Sequence, residues 1–600
     1  MKKYNSRKDV PKDYKWDLSE YFQNESEYEK TYKSCEEKIK LIPNYHGCSK
    51  DSKHLLEYLE FDINLESDLL DLEVYAYLIN DENLTNSSSA LRLGKIVNLV
   101  SEYVKQNTFF VPELLSLSEE KYNALFNENP SLNEWKFYLD CIFRNKAHTL
   151  SASEEKIIAS LVMASDHYDE MSSVMLNGEH NYGKVKLKDN TSVDIASNNY
   201  RKLMKDKDVN IRKKVYNSYN KKLDEYSVSN ASFLNGYVAL NNEVAKIRKF
   251  NSAWEAKLFN LNLTNDVYKS LVETTEENIN VYQKYWKLYK KVLDLPKLNS
   301  YDLSLELSNN AKEYTIEMAQ DTVLKAVSPL GKDYLKHIRK VFDNHYIDYC
   351  QYKGKCSGGY SMSSMKHASR ILMSFNYDLT SISTIAHEAG HNVHHQYISE
   401  NNTLQYRDVS TLVAEVASLT NEFLLSDYIY KNGKTKEEKL AGLENAIDVI
   451  MSNLFGAVRE GKMEQDFNDY YLEGNPLTKD YLDKLTNDSK QKYMGKDFNQ
   501  DKYTKNSWVT RSHYYMNFYL YSYSICVSVA SYVADKIING DDAFCKKYLE
   551  FLSLGGNIWP IDAFKFLGID ITKKEVYENA IKYFDKLLDE YEMIYDEGDK

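Results

Sequence analysis

Residues that interrupt helices are scarce in this chain. Glycine (21) and proline (8) together make up about 5% of the 600 residues, whereas an average globular protein contains about 12%. Relative to alanine, glycine costs a helix interior about 1 kcal/mol and proline about 3 kcal/mol. The scarcity therefore favours long helices over turn-rich sheets, and we expect a mainly α fold rather than an all-β one.

The composition and the hydrophobic pattern predict a globular protein with two helical lobes. Hydrophobic residues form 43% and charged residues 28% of the chain, which is enough for more than one core. Apolar positions recur every three or four residues from about 17 to 172, as the buried face of a helix requires.

The period of the pattern changes in segment 176–196. Asn177-Gly178 and Asp189-Asn190 flank alternating apolar residues there, which is typical of a small β-hairpin. We place the boundary between the lobes at this segment, which gives an N-terminal helical lobe (1–195) that ends in the hairpin and a C-terminal lobe (196–600).

Charge and cysteine content restrict the partners and the compartment. The net charge of −13 argues against binding to nucleic acid or to an anionic membrane, because both need clustered cations. The seven cysteines are odd in number, scattered and without a CxxC pair, which indicates a reducing compartment. No apolar run is long enough for a membrane span or a secretion signal. We therefore predict a cytoplasmic protein.

The segment HEAGH contains a pair of candidate metal ligands. His387 and His391 lie four residues apart, so a helix presents both imidazoles on one face, one turn apart. Glu388 lies beside this pair and could accept a proton from a water molecule activated by the metal. The helix is otherwise apolar, and Gly390 suggests that another backbone or a substrate comes close. Two surface histidines without a ligand are the alternative interpretation.

A second apolar helix offers the third ligand that a catalytic zinc ion requires. In TLVAEVASLTNEF, Glu415 and Glu422 lie seven residues apart and share one face. Carboxylates on an apolar face seldom lack a function. We assign Glu415 as the ligand and Glu422 as the group that orients a ligating histidine, and the reverse assignment remains open.

His394 is a weaker candidate for the ligand set. It lies seven residues after His387, or about 10.5 Å along the helix axis, which is too far for one ion to reach both while also binding His391. We expect His394 to lie behind the ligands or in the core.

A glycine-rich segment precedes the metal motif. In KGKCSGGYSMSS, Gly358 and Gly359 leave their backbone groups accessible, so an extended peptide could pair with this segment as an added strand. Tyr360 would then pack against a substrate side chain. An ordinary loop turn is the alternative.

An aromatic segment follows near the end of the chain. In SHYYMNFYLYSYS, Tyr514 and Tyr521 are two helical turns apart and are expected to share a face. A stripe of aromatic residues at this spacing is also typical of an ordinary helix core.

These motifs together resemble the oligoendopeptidase F branch of the thimet-oligopeptidase-like zinc peptidases. The resemblance covers nearly the whole chain, starting at PKDYKWDLSEYF. The motifs that carry it are HEAGH at 387–391, AEVASLTNE at 414–422, KGKCSGGYSMSS at 353–364, YDLSLEL at 301–307, PLGKDYL at 329–335, VREGKMEQDF at 458–467 and SHYYMNFYLYSYS at 512–524.

The resemblance implies a mainly α, two-lobed peptidase with a deep central channel, a small β element near the site and the catalytic residues in the lobe 196–600. It implies Glu415 as the third zinc ligand, and His513 with Tyr521, Tyr514 or Tyr519 as donors to the transition state. The family often has a basic residue where Cys356 stands and an alanine where Gly359 stands, and these departures concern substrate preference.

The predicted function is zinc-dependent hydrolysis of internal bonds in short peptides, with one Zn²⁺ per chain, Glu388 as general base and oligopeptides as substrates. We expect a monomer. The alternatives are a dipeptidyl peptidase or carboxypeptidase of related helical fold, and a peptide-binding zinc protein without catalysis, for which Glu388 would have no use.

Overall fold

The computed structural model describes residues 4–151, 154–155, 157–158, 166–308 and 312–597. The fold is mainly α, as predicted. The first half of the chain forms α1 (Glu25–Ile39), α2 (Ser52–Glu82), α3 (Ser87–Asn107), α4 (Phe110–Leu115), α5 (Glu119–Glu128), α6 (Lys136–Phe143), α7 (Asp166–Val174), α8 (Ser197–Leu203), α9 (Val209–Ile247), α10 (Ala253–Asn260), α11 (Asn265–Glu277) and α12 (Ile279–Val292). The second half forms α13 (Ile316–Ala326), α14 (Gly331–Asp343), α15 (Leu379–Asn401), α16 (Thr411–Asn432), α17 (Lys436–Ile450), α18 (Ala457–Leu472), α19 (Lys479–Met494), α20 (Leu520–Ile538), α21 (Asp542–Leu552), α22 (Pro560–Leu567) and α23 (Lys574–Asp596). Part of the helical pattern predicted for 17–172 falls on 152–153, 156 and 159–165, which lie outside the described residues.

Side-chain caps define where many of these helices begin. Asp51 accepts a hydrogen bond from the His54 amide at the start of α2, and Asp378 accepts one from the Ser381 amide at the start of α15. Such caps satisfy amides that have no partner inside the helix. Among the described residues, no helix combines the length and the apolar character needed to span a bilayer.

The strands are short and form three small sheets. The predicted hairpin is present, with β1 (Lys184–Lys186) antiparallel to β2 (Ser192–Asp194). A second sheet pairs β3 (Leu298–Asn299) with β7 (Phe498–Asn499) in parallel. The third has the order β4-β6-β5, in which β6 (Arg370–Leu372) runs parallel to β4 (Ile347–Asp348) and antiparallel to β5 (Tyr360–Met362). The glycine-rich segment leads into β5, which is an edge strand of this sheet.

The chain folds into two compact units, each built from three separate stretches. The first unit comprises Met1–Thr149, Ala311–Tyr428 and Val533–Gly568, and the second comprises Leu150–Asn310, Ile429–Tyr532 and Ile569–Lys600. The predicted boundary between the lobes, 195/196, does not coincide with any boundary of these units. A change of hydrophobic period marks a change of local structure, but it does not show which distant stretches pack together.

Each unit has its own apolar core. In the first unit, α1, α2 and α3 pack with Leu372 of β6, so the small sheet is continuous with a helical core. In the second unit, α9 forms the centre of a cluster that includes Tyr514 and Leu520. All seven cysteines lie within the described residues, and no two of them form a disulfide.

Candidate metal centre

Helix α15 presents His387, Glu388 and His391 in the first unit. The imidazole rings of His387 and His391 lie one turn apart, with centroids 4.9 Å from each other. The inner face of the helix is buried through Ile382, Ile385 and Val393, and Glu388 is only 8% exposed. The apolar positions thus fix the orientation of the helix and, with it, the direction of the two imidazoles.

Helix α16 brings the carboxylate of Glu415 to this pair. Glu415 Oε2 lies 3.5 Å from His387 Nε2 and 3.5 Å from His391 Nε2. All three potential ligand atoms lie within 4.8 Å of one another. Donors that each lie 2.0–2.2 Å from one tetrahedral zinc ion are about 3.4 Å apart. Both the distances and the donor types of this cluster therefore suit zinc.

Glu422 lies on the other side of His387. Its Oε1 atom is 2.7 Å from His387 Nδ1, and its Oε2 atom accepts a hydrogen bond of 2.9 Å from the Ser383 hydroxyl. A proton on Nδ1 leaves the lone pair of Nε2 directed toward Glu415, which is the tautomer that a metal ligand needs. The structure thus brings Glu415 to both imidazoles and Glu422 to the far nitrogen of one.

The close packing of acids and imidazoles shifts the pKa values of this cluster. Burial alone would lower the pKa of His387, but the hydrogen bond and the charge of Glu422 outweigh it and raise the pKa to about 9. Burial would raise the pKa of Glu415, but His391 and His387 lower it to about 2. Burial raises the pKa of Glu388.

His394 lies outside the ligand cluster. The side chain is buried in the core, where burial lowers the pKa of its imidazole to about 3. Its Nε2 atom has no hydrogen-bond partner among the described residues. The His394 side chain therefore belongs to the core around α15.

The glycine-rich segment lies beside α15. A Cβ atom on Gly359 would be 2.9 Å from Thr384 Cγ2 and 3.9 Å from Glu388 Oε1. Gly358 has a φ of +105°, and its amide donates to the Ser374 hydroxyl at 3.3 Å. The Tyr360 hydroxyl donates to Asp81 at 2.6 Å, and its ring packs on the apolar core of this unit.

The aromatic segment belongs to the second unit and is not one continuous helix. Tyr514 lies in a 3₁₀ helix, Ser512–Tyr515, whereas Tyr521 lies in α20. Asn517 and Phe518 between them have φ values of +43° and +59°, which no helix accommodates. The prediction that Tyr514 and Tyr521 share one helical face is therefore wrong.

Tyr514 and Tyr521 are both buried, while His513 is partly exposed. The Tyr514 hydroxyl lies 3.9 Å from Met463 Sδ. The Tyr521 ring packs edge-on against Trp254, and its hydroxyl has no hydrogen-bond partner among the described residues. Burial, and then the charge of Arg511, lowers the pKa of His513.

Comparison with known proteins identifies the family. Models of two families match, Peptidase family M3 over residues 202–583 and Oligopeptidase F over residues 113–181. The chain belongs to peptidase family M3. The resemblance to the oligoendopeptidase F branch is confirmed, and so is a mainly α peptidase fold.

Relatives of this M3 peptidase match it over nearly its whole length. Oligopeptidase PepF of Bacillus subtilis is 29% identical over 590 residues, covering 98% of this chain and 88% of the relative. Group B oligopeptidase PepB of Streptococcus agalactiae is 27% identical over 595 residues, covering 99% of both. The crystal structure of oligoendopeptidase-F from Enterococcus faecium has a TM-score of 0.74 at 25% identity and covers 95% of this chain and 99% of that one. A crystal structure from Chlamydophila abortus has a TM-score of 0.88 at 27% identity, covering 98% and 100%.

Two features that position the candidate ligands of this M3 peptidase were missed in the sequence. The Asn421 amide group donates to the carbonyl of Ala386, beside His387, at 3.0 Å and so ties α16 to α15. Gly555 and Gly556 pack so closely on the backbone of Tyr406 and Asp408 that a Cβ atom on either would collide, and this contact fixes the segment that leads into α16. A Gly-Gly pair in a chain so poor in glycine was the available signal.

Proposed function

We propose that this M3 peptidase is a zinc-dependent endopeptidase that hydrolyses internal bonds of short peptides. The observation that carries the proposal is the convergence of His387, His391 and Glu415 within 4.8 Å, with Glu388 next to His387 on the same helix. Two imidazoles and one carboxylate are a typical ligand set of catalytic zinc, which leaves one coordination position for water or substrate.

Glu388 is the proposed general base. When bound, zinc supplies a Lewis acid that makes water more acidic and polarises the scissile carbonyl group. Glu388 takes the proton from the attacking water and later passes it to the departing amine. Burial raises the pKa of Glu388, which makes the carboxylate a stronger base for the first of these steps.

The edge strand β5 and the preceding loop are the proposed binding site for the substrate backbone. Among the described residues, β5 pairs with β6 on one side only, so its other edge can add a strand. Gly358 and Gly359 keep side chains away from this path, and Gly359 lies close to Glu388. Pairing through the main chain demands little of the substrate sequence.

His513 and one of three tyrosines are the proposed donors to the oxyanion of the transition state, with Tyr521 first, Tyr514 second and Tyr519 third. A hydrogen-bond donor that strengthens its interaction as charge develops lowers the barrier to hydrolysis. The lack of a partner for the Tyr521 hydroxyl among the described residues supports this order.

Endopeptidase activity is favoured over removal of terminal residues by the names of relatives, among them Oligoendopeptidase F homologues of Lactococcus lactis and Borreliella burgdorferi. A peptide blocked at both ends distinguishes the two activities. We expect mass spectra of its digest to contain internal cleavage products only. An intact blocked peptide, together with shortening of the unblocked one, would establish an exopeptidase instead.

The variant Glu388→Gln tests whether the protein is an enzyme or a binding protein. We expect metal analysis to find zinc retained, because Glu388 is not among the ligands, and a quenched fluorescent peptide to be cleaved at least about 1,000 times more slowly. Removal of zinc by a chelator should abolish cleavage in the wild type. An undiminished rate in Glu388→Gln would exclude Glu388 as the base.

The cellular setting is part of the same proposal. An acidic chain with scattered cysteines suits an oligopeptidase of the cytoplasm that acts as a monomer on peptides and binds no nucleic acid.

A further inference from the structure

Lys355 lies in the glycine-rich loop, and its ammonium group is fully buried. The Nζ atom lies 2.7 Å from Asp348 Oδ1 and donates to the backbone carbonyls of Met373 at 2.8 Å and of Asp348 and Cys350 at 3.0 Å each. Three carbonyl acceptors thus match the three N–H bonds of the ammonium group, and the Asp348 carboxylate pairs with its charge.

The charge of Asp348 is balanced on its other side. Arg7 contacts the second carboxylate oxygen of Asp348, and Glu82 pairs with Arg7 at 2.7 Å. Two cations and two carboxylates therefore form a neutral, mostly buried chain that begins at the N-terminal segment and ends in the loop. Removal of one member would leave a buried charge without its partner, which is costly.

The Lys355 ammonium group donates hydrogen bonds to backbone carbonyls, which an apolar side chain could not do. The three carbonyls that it binds belong to Asp348 at the end of β4, to Cys350 and to Met373, the residue after β6. The Asp348 carbonyl also accepts from the Met373 amide at 3.1 Å, so Lys355 adds a second donor where β4 and β6 end. The ammonium group bonds all three carbonyls and so joins the ends of the two strands. The backbone of Lys355 is itself part of the loop. The side chain thereby holds the loop against the end of the sheet.

The loop held by Lys355 leads directly to the metal centre. The Gly354 carbonyl accepts from the Leu84 amide at 2.8 Å, and the Cys356 amide donates to the Asp81 carbonyl at 2.9 Å. Four residues after Lys355, Gly359 packs against Thr384 on the helix that carries Glu388. A shift of the loop at Lys355 would therefore be transmitted to the backbone beside the general base.

We propose that Lys355 is a positioning residue for peptide binding: by joining the strand ends around Asp348, it fixes the Gly354–Gly359 loop and the edge strand β5 in the conformation that receives the substrate backbone. This inference rests on the proposed function, in which β5 and the loop bind the substrate. Lys355 touches neither the metal ligands nor the reacting atoms, so its effect is on substrate affinity rather than on the chemical step.

The test compares Lys355→Met with the wild type in the zinc-loaded full chain. We expect KM for a quenched fluorescent peptide to rise about tenfold while kcat changes less than about threefold, because a loosened loop must be ordered again by each substrate. Zinc content should be unchanged. In the Glu388→Gln background, the same substitution should weaken binding of the uncleaved peptide by a similar factor.

Arg212→Met is the matched control. Arg212 is a buried cation of the second unit that pairs with Asp302 at 2.6 Å and donates to the carbonyls of Asp206, Lys207 and Tyr301. Its loss should lower thermal stability as Lys355→Met does but leave KM within about twofold of the wild type. A tenfold rise of KM in the control as well would overturn a specific role for Lys355.

Three further outcomes complete the test. If Lys355→Met does not fold, the double variant Asp348→Asn/Lys355→Met removes both charges of the contact and should show the same rise of KM. If neither variant folds, hydrogen exchange of the Cys356 amide is measured in the wild type. Slow exchange supports a fixed loop, and exchange as fast as in a solvated loop overturns the inference. If the wild type hydrolyses the peptide and the Lys355 variant has an unchanged KM, this inference is overturned but the proposed function is not. A wild type that cleaves no peptide overturns the proposed function itself.

Discussion

Gly390 lies directly against Ser418: a Cβ atom on Gly390 would stand 2.7 Å from the Cα atom of Ser418 and 2.9 Å from the carbonyl oxygen of Ala417. Helices α15 and α16 therefore touch backbone to backbone at this point. Gly390 immediately precedes His391, and Ser418 donates a hydrogen bond of 3.0 Å to Glu415 Oε2. The close approach of the helices thus allows the candidate ligands of both, His387 and His391 on α15 and Glu415 on α16, to converge.

Gly390→Ala should push these two helices apart. We expect the free energy of unfolding to fall by about 1–3 kcal/mol, as overpacking of a close contact does, and zinc to be bound more weakly. Gly94→Ala is the control, because Gly94 is an exposed glycine of α3 with no atom within 4 Å of its added Cβ. That change should instead raise stability by about 0.5–1 kcal/mol. Thermal unfolding and metal analysis of both variants would decide, and equal behaviour would contradict the packing role.

The parts of the site that depend on local periodicity were predictable from the sequence. His387 and His391 follow from the spacing of a helix, and the carboxylates Glu415 and Glu422 stood out because an apolar helix seldom carries them. Gly390 indicated the approach of another backbone, because a glycine weakens a helix and is expected there only where a side chain would not fit.

The parts that depend on tertiary contacts or on rare backbone conformations were not predictable. Asn517 and Phe518 adopt positive φ values, which their residue types did not indicate. Tyr514 and Tyr521 were therefore assigned to one helix. Each of the two units is built from stretches that are separated in the sequence by parts of the other unit, and no local pattern marks such assembly.

The order in which substitutions remove zinc tests the assignment of the ligands. Glu415→Ala removes a proposed ligand and should weaken zinc binding by more than about 100-fold. Glu422→Ala removes only the hydrogen-bond partner of His387 Nδ1 and should weaken zinc binding about 10- to 100-fold. His394→Ala should leave zinc binding unchanged, because its ring lies outside the cluster. Titration of the metal-free variants with zinc measures this order. A greater loss in Glu422→Ala than in Glu415→Ala would reverse the two roles.

The variant Tyr521→Phe tests whether the Tyr521 hydroxyl takes part in catalysis or whether Tyr521 is only a core residue. Since the hydroxyl has no partner among the described residues, its removal should leave the melting temperature unchanged or slightly raised. A donor to the transition state would nevertheless lower kcat about 100-fold when lost. The Tyr514 hydroxyl lies near Met463 Sδ, a weak acceptor, and Tyr514→Phe should have a smaller effect on kcat. A normal kcat in Tyr521→Phe would assign this tyrosine to the core.

Gly359 and Thr384 should be coupled in their effect on hydrolysis. A Cβ atom on Gly359 would lie 2.9 Å from Thr384 Cγ2. Gly359→Ala alone should therefore displace the loop beside Glu388 and lower kcat/KM about tenfold. Thr384→Ser removes the obstructing methyl group and alone should change kcat/KM less than about twofold. The double variant should then recover most of the lost activity, which a double-mutant cycle measures directly. Additive effects of the two substitutions would show that the glycine is required for a reason other than the space taken by Thr384.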